Sequence, residues 1–179
     1  GGYSEFTQLE MYVRRGWAEK YRPGWRDGKL VLAADVGRGL RLTRTLWLED
    51  GVFCTRSRMR NASAVPLDCS WGAELRLLLP EQALLSWQDA SGAVVSPFKE
   101  LPLDNSATFS GGSLPQGSWR VESPQGSFAL SFRGDPLVSF ALARQENPLR
   151  LSAGWRTIQA HLGPGQSVRF EQRIQISRS

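Results

Sequence analysis

The stretch that decides the fold runs from Leu40 to Leu79 and reads LRLTRTLWLEDGVFCTRSRMRNASAVPLDCSWGAELRLLL. Apolar and polar residues alternate on both sides of Asp50-Gly51, a dipeptide that favours the positive φ angles of a tight hairpin turn. A second turn is expected at Asn61-Ala62-Ser63, because Asn and Ser side chains can hydrogen-bond their own backbone. Pro66 then marks the start of another strand. The stretch therefore predicts consecutive β-strands.

The same alternation extends to most of the chain. In the last segment Val168, Phe170, Ile174 and Ile176 share one parity, while charged and amide side chains occupy the other, as in a strand with one buried face. Turn-forming pairs such as Gln125-Gly126 recur about every ten residues. The pattern predicts an all-β fold, a two-sheet β-sandwich of about eleven strands with negligible helix.

The expected strands are at residues 29–34, 40–48, 52–60, 67–79, 83–88, 93–95, 118–123, 126–133, 137–143, 154–162 and 167–176. One short helical turn is expected near Ser4 to Val13, and a long loop from Phe98 to Gly117.

Length and composition favour one domain covering residues 1–179. Hydrophobic residues make up 41% of the chain, and no apolar run approaches the roughly 20 residues of a membrane helix, so no membrane partner is expected. The chain starts Gly1-Gly2-Tyr3 without an initiator Met, which favours a domain excised from a larger protein. Nothing in the sequence indicates the localisation.

The net charge of +5 comes from arginine, since all but three of the 22 basic residues are Arg. Arginine can bind carboxylates or phosphates through two hydrogen bonds, so anionic ligands remain open. However, the arginines are scattered among 17 acidic residues, with no basic tract and no recognisable nucleic-acid motif. We therefore expect no nucleic-acid partner.

Cysteine and histidine exclude some kinds of site. Cys54 and Cys69 flank the turn at Asn61, and two readings stay open: a cross-strand disulfide or two buried free thiols. His161 is the sole histidine, so a structural zinc site of the usual Cys/His composition cannot be assembled within the chain. No metal and no other cofactor is expected. Asn61-Ala62-Ser63 also matches a glycosylation sequon.

The order of these turns resembles that of a known family. Asp27-Gly28, Asp50-Gly51, the Asn61-to-Pro66 turn and Trp71 are similar to the run of galactose-mutarotase-like (supersandwich) β-sandwiches, as is Leu162-Gly163-Pro164-Gly165-Gln166-Ser167 before the last strand. The resemblance covers most of the chain and rests on turn residues. It implies a sandwich domain associated with glycoside hydrolases and related carbohydrate-active enzymes.

The catalytic residues of that family are not matched. An aldose epimerase of this type uses a His as acid and a Glu as base with a second His nearby, whereas Trp71 is followed here by Gly72-Ala73-Glu74 and His161 stands alone. No catalytic residue is assigned. The resemblance then implies a non-catalytic domain that partners the catalytic domain of a parent chain, such as a glycoside hydrolase or glucanotransferase. The alternatives are a structural or interaction sandwich without a sugar ligand, and an aldose epimerase-like enzyme.

Aromatic residues are the candidates for carbohydrate binding, because sugar rings stack on exposed Trp and Tyr. One group lies in a segment that does not alternate, where a stacking platform and a core plug are both open readings. A second group shares one parity near the C-terminus and could form a binding face. The candidates are Trp17, Tyr21, Arg22, Trp25 and Arg26 in the first group, and Trp155, Gln159 and His161 in the second.

Overall fold

The computed structural model describes residues 2–9, 12–15, 20–134, 137–146, 148–157 and 160–178. The strands within these ranges are β1 (Gly2–Leu9), β2 (Tyr12–Arg15), β3 (Arg22–Arg26), β4 (Lys29–Gly37), β5 (Leu40–Glu49), β6 (Val52–Asn61), β7 (Leu67–Leu78), β8 (Leu84–Asp89), β9 (Gly92–Pro97), β10 (Ala107–Phe109), β11 (Ser118–Ser123), β12 (Gly126–Gly134), β13 (Leu137–Gln145), β14 (Arg150–Thr157), β15 (Ala160–Leu162) and β16 (Ser167–Arg178). Short 3₁₀ turns are formed by Phe98–Glu100 and Gly111–Ser113.

The strands form two antiparallel sheets. The larger sheet has nine strands in the order β3-β4-β5-β6-β16-β12-β11-β8-β9. The smaller sheet has the order β10-β13-β14-β7-β1-β2, with β15 pairing to one end of β7. The face of each sheet that packs on the other is called its inner face below. The predicted all-β, two-sheet sandwich is confirmed.

The core consists of large side chains from both inner faces. Trp119 of the larger sheet lies 5.7 Å from Phe140 and 6.2 Å from Trp155 of the smaller sheet, measured between ring centroids. All three rings are at most 2% exposed. Such inter-sheet aromatic contacts add about 0.5–1.5 kcal/mol each beyond the area that they bury, so they stabilise the pairing of the two sheets.

Several strand predictions were incomplete or wrong. The segment from Ser4 to Val13 contains no helical turn among its described residues; β1 and β2 form a hairpin there instead. β3 and β10 were not predicted, and the second of these, Ala107–Phe109, lies inside the expected long loop. The strand predicted at 154–162 corresponds to two separate strands, β14 and β15.

Asn61 holds together the turn after β6. Its Nδ2 donates to the carbonyl oxygens of Val65 at 2.7 Å and Leu162 at 2.8 Å, and its Oδ1 accepts from the backbone N and the hydroxyl of Ser63. The turn predicted from Asn61 and Ser63 is confirmed. Because Asn61 is fully buried and its amide protons are engaged, the sequon is not a glycan acceptor in the folded chain.

The two cysteines are buried free thiols, so the disulfide reading was wrong. The connection from β6 to β7 crosses from the larger to the smaller sheet, which places Cys54 and Cys69 on different sheets instead of adjacent strands. Burial raises the pKa of the Cys54 thiol. Burial and the charge of Asp68 raise the pKa of the Cys69 thiol to about 11.

Candidate functional site on the inner face of the larger sheet

A row of side chains crosses the inner face of the larger sheet from solvent to the core. The strand registers pair Trp25 with Leu30, Leu30 with Leu46, Leu46 with Thr55, and Thr55 with Gln172. Trp25 at the sheet edge is 76% exposed, whereas Thr55 and Gln172 are buried. The smaller sheet therefore covers only part of this face.

The uncovered part is apolar. Trp25 and Leu48 are exposed there, and Leu30 and Leu46 between them are half-buried. We call these four side chains the open end of the inner face. An exposed apolar surface with an aromatic ring is typical of a ligand-binding surface when polar groups lie beside it.

Polar side chains lie next to the open end, between the two sheets. Glu5 of β1 accepts hydrogen bonds from the Tyr3 hydroxyl at 2.8 Å, the Ser57 hydroxyl at 2.6 Å and the Trp71 indole N–H at 3.2 Å. Arg44 of β5 completes the group, with its Nε 2.7 Å from Glu5 Oε2. We call Tyr3, Glu5, Arg44, Ser57 and Trp71 the Glu5 cluster.

Arg44 is held by charge and by an aromatic ring. Its Nε–H is not aligned for a hydrogen bond, so the contact with Glu5 is an ion pair, and the guanidinium carbon lies 5.2 Å from the centre of the Tyr21 ring. The side chain of Arg44 is 11% exposed and that of Glu5 2%. This pair links the sheets where the core meets the open end.

The chemistry of the Glu5 cluster is that of a structural network. Both carboxylate oxygens of Glu5 already accept hydrogen bonds and the side chain is shielded from solvent, so the carboxylate is not open to an incoming substrate. Burial, and then the neighbouring charge of Glu5, raise the pKa of the Tyr3 phenol well above its usual range. Tyr3 is thus a neutral hydrogen-bond donor and not an acid that titrates near neutrality.

The first group of predicted sugar contacts is divided between two faces. Trp25 is exposed on the inner-face side, which excludes the core plug, and Tyr21 is half-buried against Arg44. Strand alternation directs Arg22 and Arg26 to the opposite, outer face of the sheet, so they do not flank the Trp25 ring as expected. Arg22 also lies 3.4 Å from Asp35 in an exposed ion pair. Trp17 lies outside the described residues.

The second group does not form a common face. Trp155 is 1% exposed and belongs to the core, so its assignment as a surface contact was wrong. His161 is exposed on the outer face of the smaller sheet, with Nδ1 2.8 Å from Asp68 Oδ1. Gln159 lies outside the described residues.

Sequence reasoning missed Glu5 and Arg44, although one signal was present. Arg44 interrupts the apolar parity of Leu40, Leu42, Leu46 and Leu48, and Gln172 interrupts that of Phe170 and Ile174. A polar residue at an inward-facing position needs a buried partner or a ligand. Such interruptions can therefore identify a polar cluster before the structure is known.

A metal-binding group and a membrane-spanning helix are both absent from the part of the chain that the structure describes. No group of three or more His, Cys, Asp or Glu side chains there is arranged to hold a metal ion. Nor does any helix in those residues have the length and apolar character needed to cross a membrane.

Comparison with known proteins identifies the fold. A provisionally assigned aldose 1-epimerase from Escherichia coli K12 superposes with a TM-score of 0.72 at 14% identity, covering 92% of this chain and 70% of that one. A galactose mutarotase-like protein from Lactobacillus casei gives a TM-score of 0.70 at 8% identity, covering 96% and 80%. The chain has the galactose-mutarotase-like β-sandwich fold.

The same sandwich occurs within larger enzymes. An α-galactosidase from Geobacillus stearothermophilus, in complex with raffinose, matches with a TM-score of 0.56 at 12% identity, covering 98% of this chain and 30% of that one. No family model and no curated protein matched the sequence. These likenesses identify the fold and its occurrence in carbohydrate enzymes.

Proposed function

We propose that this mutarotase-like sandwich is a carbohydrate-associated, non-catalytic domain that binds a saccharide ring at the open end of its inner face. The observation that carries the proposal is the exposure of Trp25: a 76% exposed indole on the side of the sheet that faces the core elsewhere. An exposed indole that continues into an apolar surface beside polar side chains has the character of a ligand-binding surface.

Trp25 has the surroundings that a stacking platform needs. It projects from the edge strand β3, and Leu30 and Leu46 extend the apolar surface inward from it. A sugar ring that stacks its C–H face on the indole buries apolar area while its hydroxyls stay in water. The contact adds about 1–2 kcal/mol, typical of one exposed aromatic anchor.

The state of Glu5 favours binding over catalysis. An epimerase needs a base whose lone pair reaches a sugar proton and a matching acid. Glu5 is the carboxylate of the polar cluster beside the open end, and its oxygens already accept hydrogen bonds from Tyr3, Ser57 and Trp71. An epimerase-like activity is the alternative, and a mutarotation assay tests it.

The larger structural neighbours support a proposal for the domain partner. Because the chain matches about a third of an α-galactosidase, we propose a catalytic domain of a parent chain as the partner of this sandwich. A sandwich that only supports such a domain, with no sugar ligand, is the competing outcome.

The test is calorimetric titration of the chain with galactose, glucose and raffinose. Trp25→Ala is expected to weaken binding about 5- to 30-fold, which corresponds to about 1–2 kcal/mol, and Trp25→Phe to retain most of it. Val95→Ala, which trims another exposed apolar side chain of the same sheet, is the matched control and should leave binding unchanged. Absence of binding at millimolar sugar supports the purely structural role, and mutarotation above the buffer rate supports an enzyme.

A further inference from the structure

Four arginines form a cluster on the outer face of the larger sheet, opposite to the Glu5 cluster. The registers pair Arg41 with Arg60 and Arg58 with Arg169, so two like-charged pairs lie directly across neighbouring strands. Arg58 and Arg60 are two residues apart on β6 and point to the same side. We call Arg41, Arg58, Arg60 and Arg169 the arginine cluster.

The charges of the cluster are poorly compensated. Arg41 shares Asp35 with Arg22, with its Nε 3.2 Å from the Asp35 carboxylate. In the described part of the chain, the side chains of Arg58, Arg60 and Arg169 make no ion pair, and Arg58 Nε is buried without a hydrogen-bond partner. Elsewhere on the same face, Arg56 pairs with Glu171 at 2.7 Å.

This arrangement is unfavourable for folding and favourable for an anion. Like charges directly opposite each other on adjacent strands destabilise a sheet, and a buried guanidinium N–H without an acceptor adds a desolvation cost. A ligand that brings several carboxylates satisfies both defects, because guanidinium groups bind carboxylates through paired, charge-assisted hydrogen bonds.

We propose that the arginine cluster binds an acidic polysaccharide whose repeating units carry carboxylates. Regular spacing supports a polymer: the strands lie about 4.8 Å apart, and alternate residues along a strand about 6.6 Å apart, so neighbouring guanidinium groups can meet successive anionic units. The choice of a polysaccharide over a nucleic acid rests on the proposed carbohydrate function and on the form of the surface, which is one face of a nine-stranded sheet. A duplex groove admits a helix or a two-stranded ribbon and not the face of a nine-stranded sheet. The Trp47 ring on this face is covered by Lys29 and Arg56 instead of being free to stack on bases.

The experiment measures binding of the full chain to polygalacturonate, with neutral dextran as the reference, in 50 and 150 mM salt. The variant R58Q/R60Q/R169Q is expected to weaken binding at least about tenfold without lowering the melting temperature. The matched control R76Q/R120Q/R178Q removes the same number of positive charges from other places and should weaken binding less than about threefold. Equal losses in the two variants would overturn the proposal, because only net charge would then matter.

Two further measurements distinguish the possible ligands and the two binding faces. A single-stranded oligonucleotide of matched charge that binds the cluster more tightly than polygalacturonate would overturn the choice of partner. Trp25 lies on the opposite face of the sheet, so Trp25→Ala should leave the binding of polygalacturonate unchanged. The variant R58Q/R60Q/R169Q should leave the binding of raffinose unchanged. Failure at one face is therefore distinguishable from failure at the other.

Discussion

Glu5 of the smaller sheet and Arg44 of the larger sheet form an ion pair across the sandwich, with Arg44 Nε 2.7 Å from Glu5 Oε2. Both side chains are almost excluded from solvent, at 2% and 11% exposure. Breaking such a pair by removing one partner leaves an uncompensated buried charge, whereas replacing both partners by apolar residues avoids that cost. The position of one sheet relative to the other therefore depends on this ion pair, which lies at the boundary between the core and the open end.

Removal of one member of this pair should destabilise the fold strongly. We expect Glu5→Leu to lower the free energy of unfolding by about 3–5 kcal/mol, and the double variant Glu5→Leu/Arg44→Met to recover most of that loss. Urea denaturation measures both. A single variant within about 1 kcal/mol of the parent would show that the pair contributes as little as an exposed one.

The raised pKa of Tyr3 predicts a loss of stability in alkali. The neutral phenol is favoured by burial in the folded chain, so above the unfolded pKa of about 10 the unfolded state releases the proton first and stability falls as pH rises towards the folded pKa. The slope contributed by this one group approaches about 1.4 kcal/mol per pH unit. Denaturation between pH 9 and pH 11 should show a steeper fall in the parent than in Tyr3→Phe; identical slopes would contradict the assignment.

The buried cysteines should be unreactive in the folded state. With a pKa of about 11 for Cys69, and with Cys54 also shifted upward, little thiolate is present at pH 8. Thiolate, not thiol, attacks alkylating reagents, so we expect labelling at least about a hundredfold slower than in urea. Rapid labelling of the native chain at either site would be inconsistent with this burial.

Asn61 should matter for stability and not for modification. Asn61→Ala removes the donor for the carbonyls of Leu162 and Val65, the first of them in a buried contact, and the acceptor for Ser63, which we expect to lower the free energy of unfolding by about 2–4 kcal/mol. Ala62→Ser, at the exposed neighbouring position, is the control. Mass spectrometry of folded chain secreted from a eukaryotic host should find no glycan on Asn61, and an occupied sequon would refute the buried hub.

Alternation predicted the architecture because most strands bury one face only. Alternation failed where a charged residue occupies an inward-facing position. Because Glu5 interrupts the apolar face of β1, a helical turn was predicted there instead of a strand. Arg44 was passed over for the same reason, since its partner lies 39 positions away in sequence on another sheet. The parity break at Arg44 marks a buried polar residue, but no local pattern identifies Glu5 as its partner.

The predicted side-chain faces and residue pairings were wrong where the chain passes from one strand to another or from one sheet to the other. Parity counted from Trp155 to His161 assumed one continuous strand, but β14 and β15 are separate and the two side chains point to opposite sides of the smaller sheet. Cys54 and Cys69 were placed together because a turn separates them, yet that turn carries the chain between sheets. Trp25 was singled out from its non-alternating surroundings, but those surroundings could not decide between exposure and burial, and the structure shows it 76% exposed.

The indole N–H resonance of Trp25 gives the most direct test of saccharide binding at the open end. In a ¹⁵N-labelled chain, the signal that disappears in Trp25→Phe identifies this residue among the seven tryptophans. Titration with raffinose is predicted to shift that signal in a saturable manner, while the signals of the buried Trp71, Trp87, Trp119 and Trp155 stay in place. An unmoved Trp25 signal at millimolar raffinose, galactose and glucose would contradict the account.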